Sequence, residues 1–197
     1  MFTTHHYAII ICNALFLIAT GAYFLANRNN EFIIYTGLIV VVMSGAFLTL
    51  RYSRFPVWML WALSFWGLMH ILGGAVHIGD HVLFAQRLYP FIDLGGEFYI
   101  LKYDQVVHAY LFGLLAIMSY HLFRNVFAVR GHKVAVFVMS IMVSLGVSSM
   151  NEIMEFFISI TMENGVGGYE NTMLDFCFNL GGAVIALSLY LSLRRSE

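Results

Sequence analysis

Six long apolar stretches, each about long enough to cross a bilayer, constrain the fold of this chain more than any other feature. A helix needs about 20 mostly apolar residues to span the hydrocarbon core. The stretches that meet this requirement are Tyr7–Ala26, Phe32–Leu50, Val57–Ile78, Asp104–Phe123, Val134–Ile160 and Thr172–Leu193. We therefore expect an all-α, polytopic membrane helix bundle that forms a single transmembrane domain over residues 1–197.

The composition supports a membrane protein and excludes two other classes. Apolar residues make up 60% of the chain and charged residues 11%, whereas soluble domains average roughly 45–50% and about 25%. The 18 Phe, 11 Tyr and 2 Pro are the opposite of a disordered composition. A net charge of −1 provides no basic surface for nucleic acid. We expect membrane lipids, and no nucleic acid, as partners.

The distribution of basic residues predicts the orientation of the spans. Cytoplasmic loops of membrane proteins carry an excess of Lys and Arg. Seven basic residues fall on one side of the predicted bundle and three on the other; they are Arg51, Arg54, Arg124, Arg130, Lys133, Arg194 and Arg195 against Arg28, Arg87 and Lys102. This asymmetry predicts that both termini are cytoplasmic.

Two connections then face outward, and they differ in character. Residues 80–103 are rich in aromatic and aliphatic side chains, with breaks at Pro90 and at Gly95-Gly96. This composition predicts a short amphipathic helix and a turn in the membrane interface. Residues 162–170 are rich in glycine, and a lid and a plain flexible loop both remain open for them.

Ionisable residues inside the spans point to a function, because a charged side chain at the bilayer centre costs about 2.5–3.5 kcal/mol on insertion scales. In the third span His70, His77 and His81 have spacings that predict one helical face. The last three spans contribute acidic, amide and imidazole side chains at similar depths in the outer half of the membrane; these are Asp104, His108, Asn151, Glu152, Glu155, Asp175 and Asn179.

This polar layer predicts a metal site. Carboxylates gathered in a low dielectric take up protons or recruit a cation, and His with carboxylate ligands suits Zn, Fe or Mn. The predicted ligands of the divalent metal are His77, Asp104, His108, Glu152, Glu155 and Asp175, with Glu152 and Glu155 as candidate catalytic residues. Further side chains are predicted to support the ligands by hydrogen bonding, namely His70, His81, Gln105, Asn151 and Asn179.

Several motifs built on these residues resemble a known family. Three of them are Tyr103-Asp104-x3-His108, Asn151-Glu152-x2-Glu155 and Asp175-x3-Asn179-x-Gly181-Gly182-Ala183, and His70-x2-Gly73-Gly74-x2-His77 is a fourth. Together they resemble the YjdF-like family of bacterial inner-membrane proteins over nearly the whole chain. The last four spans are more distantly similar to VanZ-like proteins, from whose pattern Gln105 and Glu155 depart. The resemblance implies a multi-pass protein of the bacterial inner (cytoplasmic) membrane.

Three classes of function remain open from the sequence. The first is a metal-dependent enzyme, a hydrolase or transferase that acts on a lipid or lipid-linked substrate, with a Glu as general base. The second is a transporter or a proton or cation pathway, and the third is a structural or assembly subunit whose polar residues hold helices together. A homo-oligomer or another partner in a membrane complex also remains open. The inner halves of the last three spans carry only small hydroxyls such as Ser119, Ser140 and Ser144, which favours a one-sided site over transport.

Overall fold

The computed structural model describes residues 3–96, 98–162, 165 and 167–195. Within these residues the chain forms the helices α1 (Thr4–Ala26), α2 (Asn30–Leu48), α3 (Leu50–Ser53), α4 (Val57–Ala75), α5 (Tyr103–His121), α6 (Lys133–Thr161) and α7 (Tyr169–Arg195). The described part also contains four strands, namely β1 (His77–Ile78), β2 (His81–Val82), β3 (Arg87–Gly95) and β4 (Phe98–Lys102). They pair as two antiparallel hairpins, β1 with β2 and β3 with β4.

The predicted fold class is confirmed. Six helices of the described residues are long and apolar enough to cross a membrane, and they are α1, α2, α4, α5 with its continuation to Val126, α6 and α7. The side of the membrane on which the termini lie stays a prediction. In the glycine-rich connection, residues 163, 164 and 166 lie outside the described residues. The two alternatives for this segment, a lid and a plain flexible loop, therefore both stay predictions.

The chain divides into two compact units, Met1–Phe84 and Ala85–Glu197; the single-domain organisation stays a prediction. The first unit packs α1, α2 and α4 around fully buried aliphatic and aromatic side chains such as Ile9, Phe24 and Leu63. A buried polar contact joins two of these helices, because Asn13 Nδ2 donates to Ser64 Oγ at 2.7 Å. Such interhelical hydrogen bonds stabilise membrane bundles modestly.

The end of α4 corrects the prediction for the third span. The helix ends at Ala75, Val76 is extended, and the chain then forms the β1–β2 hairpin. Two adjacent glycines, Gly73 and Gly74, weaken the helix near its end, and Gly79 takes the positive φ of +61° that the tight turn requires. The predicted single helical face of His70, His77 and His81 is therefore wrong.

The second unit is organised by close contact between α5 and α7. A Cβ added at Gly182 would collide with backbone atoms of Ala109, and one at Gly113 would lie 2.8 Å from Ala186 Cβ. Small residues allow membrane helices to approach to backbone contact in this way. Helix α6 packs against the pair, around a core of Ala116, Ile141, Ala183 and Leu187.

The segment before α5 is a β-hairpin rather than the predicted amphipathic helix. Strand β3 pairs with β4, with Ile92 opposite Ile100 and Asp93 opposite Tyr99. Gly95 and Gly96 have φ of +86° and +58°, a conformation that reverses the chain and that glycine adopts easily. Aromatic and aliphatic runs flanking a glycine pair are the usual sequence signal of a hairpin.

Candidate functional site

Three of the predicted metal ligands meet at one end of the second unit. Asp104 and His108 lie one turn apart on α5, and Asp175 lies in the second turn of α7. One ligand atom from each of them lies within 4.8 Å of the other two. His108 and Asp175 are buried and Asp104 is half-buried. We refer to these three residues and Glu152 as the acidic cluster.

His108 is the centre of the acidic cluster because it contacts all three helices of the unit. Its Nε2 lies 3.5 Å from Asp104 Oδ1 on its own helix. Its Nδ1 lies 3.1 Å from Asn179 Oδ1 on α7 and 3.8 Å from Glu152 Oε1 on α6. The ring therefore joins the two aspartate-bearing helices to the glutamate of the third.

A chain of hydrogen bonds orients the imidazole of His108. Asn179 is fully buried and its Nδ2 donates to Ser148 Oγ at 2.7 Å, which directs Oδ1 of the same amide toward His108. An amide oxygen only accepts, so Nδ1 of His108 carries the proton of this bond. In the neutral ring, the lone pair of Nε2 then faces Asp104. Metal-ligating histidines are commonly held by a bond from the other ring nitrogen in this manner.

Two carboxylates of the acidic cluster are buried without full hydrogen bonding. Glu152 is 6% exposed, and among the described residues neither of its carboxylate oxygens has a hydrogen-bond partner. Asp175 is 1% exposed; its Oδ2 accepts from Asn171 Nδ2 at 2.7 Å, whereas its Oδ1 has no partner in the described part of the chain. Most buried polar atoms in proteins are hydrogen-bonded, so these oxygens require a compensating cation or donor.

Lys102 is connected to the acidic cluster through the side-chain amide of Asn171. Lys102 Nζ donates to Asn171 Oδ1 at 2.8 Å, and Asn171 in turn donates to Asp175. The lysine thus orients Asn171 without forming an ion pair with Asp175 among the described residues. Sequence reasoning left Asn171 out of the predicted site, although its spacing of four residues from Asp175 is the signal that could have included it.

Gln105 supports the site differently from the prediction. It is fully buried, but its side chain binds the backbone of β4 rather than a ligating carboxylate. Oε1 accepts from Leu101 N at 2.8 Å and from Lys102 N at 3.0 Å, and Nε2 donates to Tyr99 O at 2.9 Å. Leu101 has φ of +84°, which a non-glycine residue rarely adopts. Gln105 therefore holds a strained turn against the first turn of α5.

The remaining predicted residues of α6 form a separate pair. Asn151 Nδ2 donates to Glu155 Oε1 at 2.7 Å, one helical turn along α6. Both side chains are half-buried. Asn151 thus hydrogen-bonds a predicted ligand, whereas Asn179 bonds to the imidazole of His108 and to Ser148. Whether Glu155 binds metal or acts as a base stays a prediction.

The three histidines of the first unit that the sequence assigns to the site have different surroundings. His70 lies among aromatic rings, with centroid distances of 5.1 Å to both Tyr35 and Phe84 and 5.7 Å to Trp66. His77 and His81 lie on the β1–β2 hairpin with exposed side chains. Their predicted roles as ligand or support stay predictions.

A row of buried serines on α6 was only partly recognised in the sequence. Ser140, Ser144 and Ser148 recur every four residues and are fully buried, in line with Glu152. Ser140 donates to Val136 O and Ser144 donates to Phe112 O. Because Ser140 and Ser144 donate to backbone carbonyls rather than to each other, and Ser148 accepts from Asn179, the row does not form a continuous polar path.

Comparisons with known proteins support the membrane class. A family model described as a predicted membrane protein (DUF2238) matches residues 6–196. No curated protein and no solved structure matches the chain. The narrower resemblances to YjdF-like and VanZ-like proteins stay predictions.

Proposed function

The chain belongs to the DUF2238 family of predicted membrane proteins, and we propose that its acidic cluster binds one divalent metal ion between α5, α6 and α7. Asp104, His108 and Asp175 are the proposed ligands. Glu152, the remaining member of the acidic cluster, lies next to His108. Helical bundles build carboxylate–histidine metal sites from side chains on facing helices.

One observation carries this proposal: ligand atoms of Asp104, His108 and Asp175 lie within 4.8 Å of one another, next to buried carboxylate oxygens that lack a partner among the described residues. Oxygen and nitrogen ligands lie about 2.0–2.2 Å from Zn²⁺, so two ligands of one ion are at most about 4.4 Å apart. Small rotations of the carboxylates would bring the three atoms into that range. A divalent ion would also neutralise carboxylates that contact no Lys or Arg among the described residues.

The chemistry of the donor set restricts the metal. One imidazole with several carboxylates suits Zn, Fe or Mn, and the chain offers no thiolate here because the described cysteines, Cys12 and Cys177, are free and exposed. His108 would ligate through Nε2, with its Nδ1 held by Asn179. Three protein ligands leave a coordination position of the metal for a further ligand such as water. Asp104 is only half-buried, which leaves space for that ligand.

We further propose that the metal site belongs to an enzyme, a hydrolase or transferase of lipids or lipid-linked substrates in the bacterial inner membrane. A divalent metal acts as a Lewis acid and activates water near neutral pH. Glu155 lies one turn from Glu152 on α6 and is half-buried, which suits a general base that must exchange protons. A lipid is the substrate class because the proposed site lies between apolar helices of membrane-spanning length.

A transport pathway is less well supported by the same residues. Intramembrane ion pathways are lined by ionisable groups that pair across a cavity. The hydroxyls of Ser140 and Ser144 are used by backbone carbonyls, and the core around Ala116 and Leu187 is apolar.

Elemental analysis of the purified, detergent-solubilised protein tests the metal proposal. The isosteric variants Asp175→Asn and Glu152→Gln remove charge without changing side-chain volume, and His5→Ala is the matched control because it removes an exposed histidine at the start of α1. We expect about one Zn, Fe or Mn per chain in the wild type and in His5→Ala, and loss of most of it in the other two variants.

Thermal unfolding of the same samples tests whether folding is retained. Added metal should raise the unfolding temperature of the wild type, because a ligand that binds only the folded state stabilises it. The two charge-removing variants should fold and show little of this increase. A folded wild type that neither contains metal nor is stabilised by Zn²⁺, Fe²⁺ or Mn²⁺ would refute the metal site and with it the proposed enzyme class.

A further inference from the structure

The β3–β4 hairpin presents an apolar surface that the fold leaves uncovered. Every residue of β3 is exposed. The exposed fraction reaches 66% for Phe91 and 73% for Leu94, and it is 47% for both Leu88 and Ile92. Contiguous apolar patches of this kind mark interaction sites for proteins, ligands or membranes.

Two charged side chains of the hairpin, Arg87 and Asp93, lie together on one face. Arg87 Nη1 lies 3.5 Å from Asp93 Oδ2, and the Arg87 guanidinium lies 4.7 Å from the ring centroid of Tyr99. Ile92 and Ile100 face each other across the two strands. Since successive side chains of a strand point to opposite faces, Ile92 and its neighbour Asp93 lie on opposite sides. The hairpin is therefore amphipathic.

The base of the hairpin is anchored at the first turn of a membrane-spanning helix. Tyr103, the first residue of α5, donates from its backbone N to Gln86 O at 3.0 Å. Gln105 binds the backbone of Tyr99, Leu101 and Lys102, as described above. Both ends of the hairpin are thus held where α5 begins, and no residue separates β4 from that helix. The surface of a bilayer that α5 spans would therefore lie at the level of the hairpin base.

The edge of β3 is poorly suited to pairing with a second protein strand. Pro90 has no N–H group and interrupts the row of backbone donors along the strand. The Arg87 and Asp93 charges near the two ends of β3 also oppose edge-to-edge association. Contact with lipid, unlike pairing with a second strand, requires no backbone hydrogen bonds from the edge of β3. Tyr89 and Phe91, whose ring centroids are 4.8 Å apart, are of the aromatic type enriched at membrane interfaces.

We propose that the β3–β4 hairpin lies in the membrane interface at the start of α5, with Ile92 and Leu94 in contact with lipid and the Arg87–Asp93 pair toward water. Both ends of β3 pair with the five residues of β4, Arg87 opposite Lys102 and Gly95 opposite Phe98, so the paired hairpin is about 17 Å long at roughly 3.3 Å per residue. Held in the interface plane, it covers the surface next to Lys102 and Asp104. This inference does not depend on a bound metal.

Spin-label accessibility in phospholipid vesicles tests this proposal on the full chain. Cys12 and Cys177 are first replaced by Ala, and single labels are attached at Ile92→Cys, Leu94→Cys and Asp93→Cys. Ile185→Cys on the exposed surface of α7 provides a lipid reference, and Arg130→Cys between α5 and α6 provides a water reference. Collision with oxygen reports lipid, and collision with a soluble nickel chelate reports water.

We expect the ratio of oxygen to nickel collisions at positions 92 and 94 to be close to that at Ile185 and several-fold above that at Arg130. The adjacent label at Asp93 should be more accessible to nickel than the label at Ile92. A ratio at Ile92 and Leu94 equal to that at Arg130 would place the hairpin in water and overturn the proposal. Low collision with both reagents, together with dipolar broadening that disappears when labelled chains are diluted with unlabelled ones, would assign the surface to a second copy and also overturn it.

Discussion

Nδ1 of His108 lies 3.1 Å from Oδ1 of Asn179, a residue 71 positions further along the chain. This contact connects α5 to α7 at the acidic cluster. Asn179 also donates to Ser148 on α6, so one buried amide fixes the orientation of the imidazole relative to all three helices. The proposed metal site depends on this orientation as much as on the ligands themselves.

Replacement of Asn179 by Ala is expected to weaken metal binding about 10–100-fold, the usual cost of losing a residue that orients a ligating histidine. Ser148→Ala is the control, because it removes the far partner of Asn179 and leaves the bond to His108 in place; its effect should be smaller. Competition with a fluorescent chelator measures both affinities. Equal affinity in the wild type and Asn179→Ala would show that His108 is oriented by other contacts or does not bind the metal.

Replacement of Gly182 by Ala is expected to destabilise the protein by about 1–3 kcal/mol, as overpacking of a close contact does. The added Cβ would meet backbone atoms of Ala109, which cannot move without separating α5 from α7. The adjacent residue provides the control, since a Cβ at Gly181 meets nothing within 4 Å. Gly181→Ala should be neutral or stabilising by up to about 1 kcal/mol, because Ala favours helix over Gly.

Unfolding of both variants in detergent, followed by circular dichroism, gives the comparison. Similar destabilisation by the two substitutions would contradict the close contact of α5 with α7 at Gly182.

Replacement of Gln105 by Leu is expected to destabilise the junction between β4 and α5. The side chain makes three hydrogen bonds to backbone groups, and a buried group left without its partner costs about 1–3 kcal/mol. Limited proteolysis should cut the β3–β4 hairpin faster in this variant. Gln86→Leu is the matched control, because Gln86 bonds to Tyr103 through its backbone carbonyl and keeps that bond. An unchanged rate of cleavage in Gln105→Leu would argue against its role in holding the hairpin.

Reporter fusions test the predicted orientation. Seven basic residues on one side of the bundle against three on the other predict cytoplasmic termini. Fusions after Arg54 and after Arg130 should give a cytoplasmic signal, and one near Gly167 should give an external signal. An external signal at Arg130 would reverse the topology.

The sequence alone determined the six spans, because the length of an apolar run is set by the thickness of the bilayer and needs no knowledge of its neighbours. It also identified Asp104 and His108 as neighbours, since residues four apart on a helix share a face. Both the fold class and this pair follow from local periodicity.

Tertiary structure decided what local periodicity does not specify. The rotation of α7 about its axis, which brings Asp175 and Asn179 toward α5, depends on the contact of Gly182 with Ala109. The hairpins depend on pairing between strands and on positive φ at glycines, whereas the composition of residues 80–103 predicts a helix and a turn. Gln105 bonds to the backbone of β4, the strand that immediately precedes α5, rather than to a ligating carboxylate. Side-chain partners of this kind are selected by packing between elements, which the spacing of residues along one helix cannot reveal.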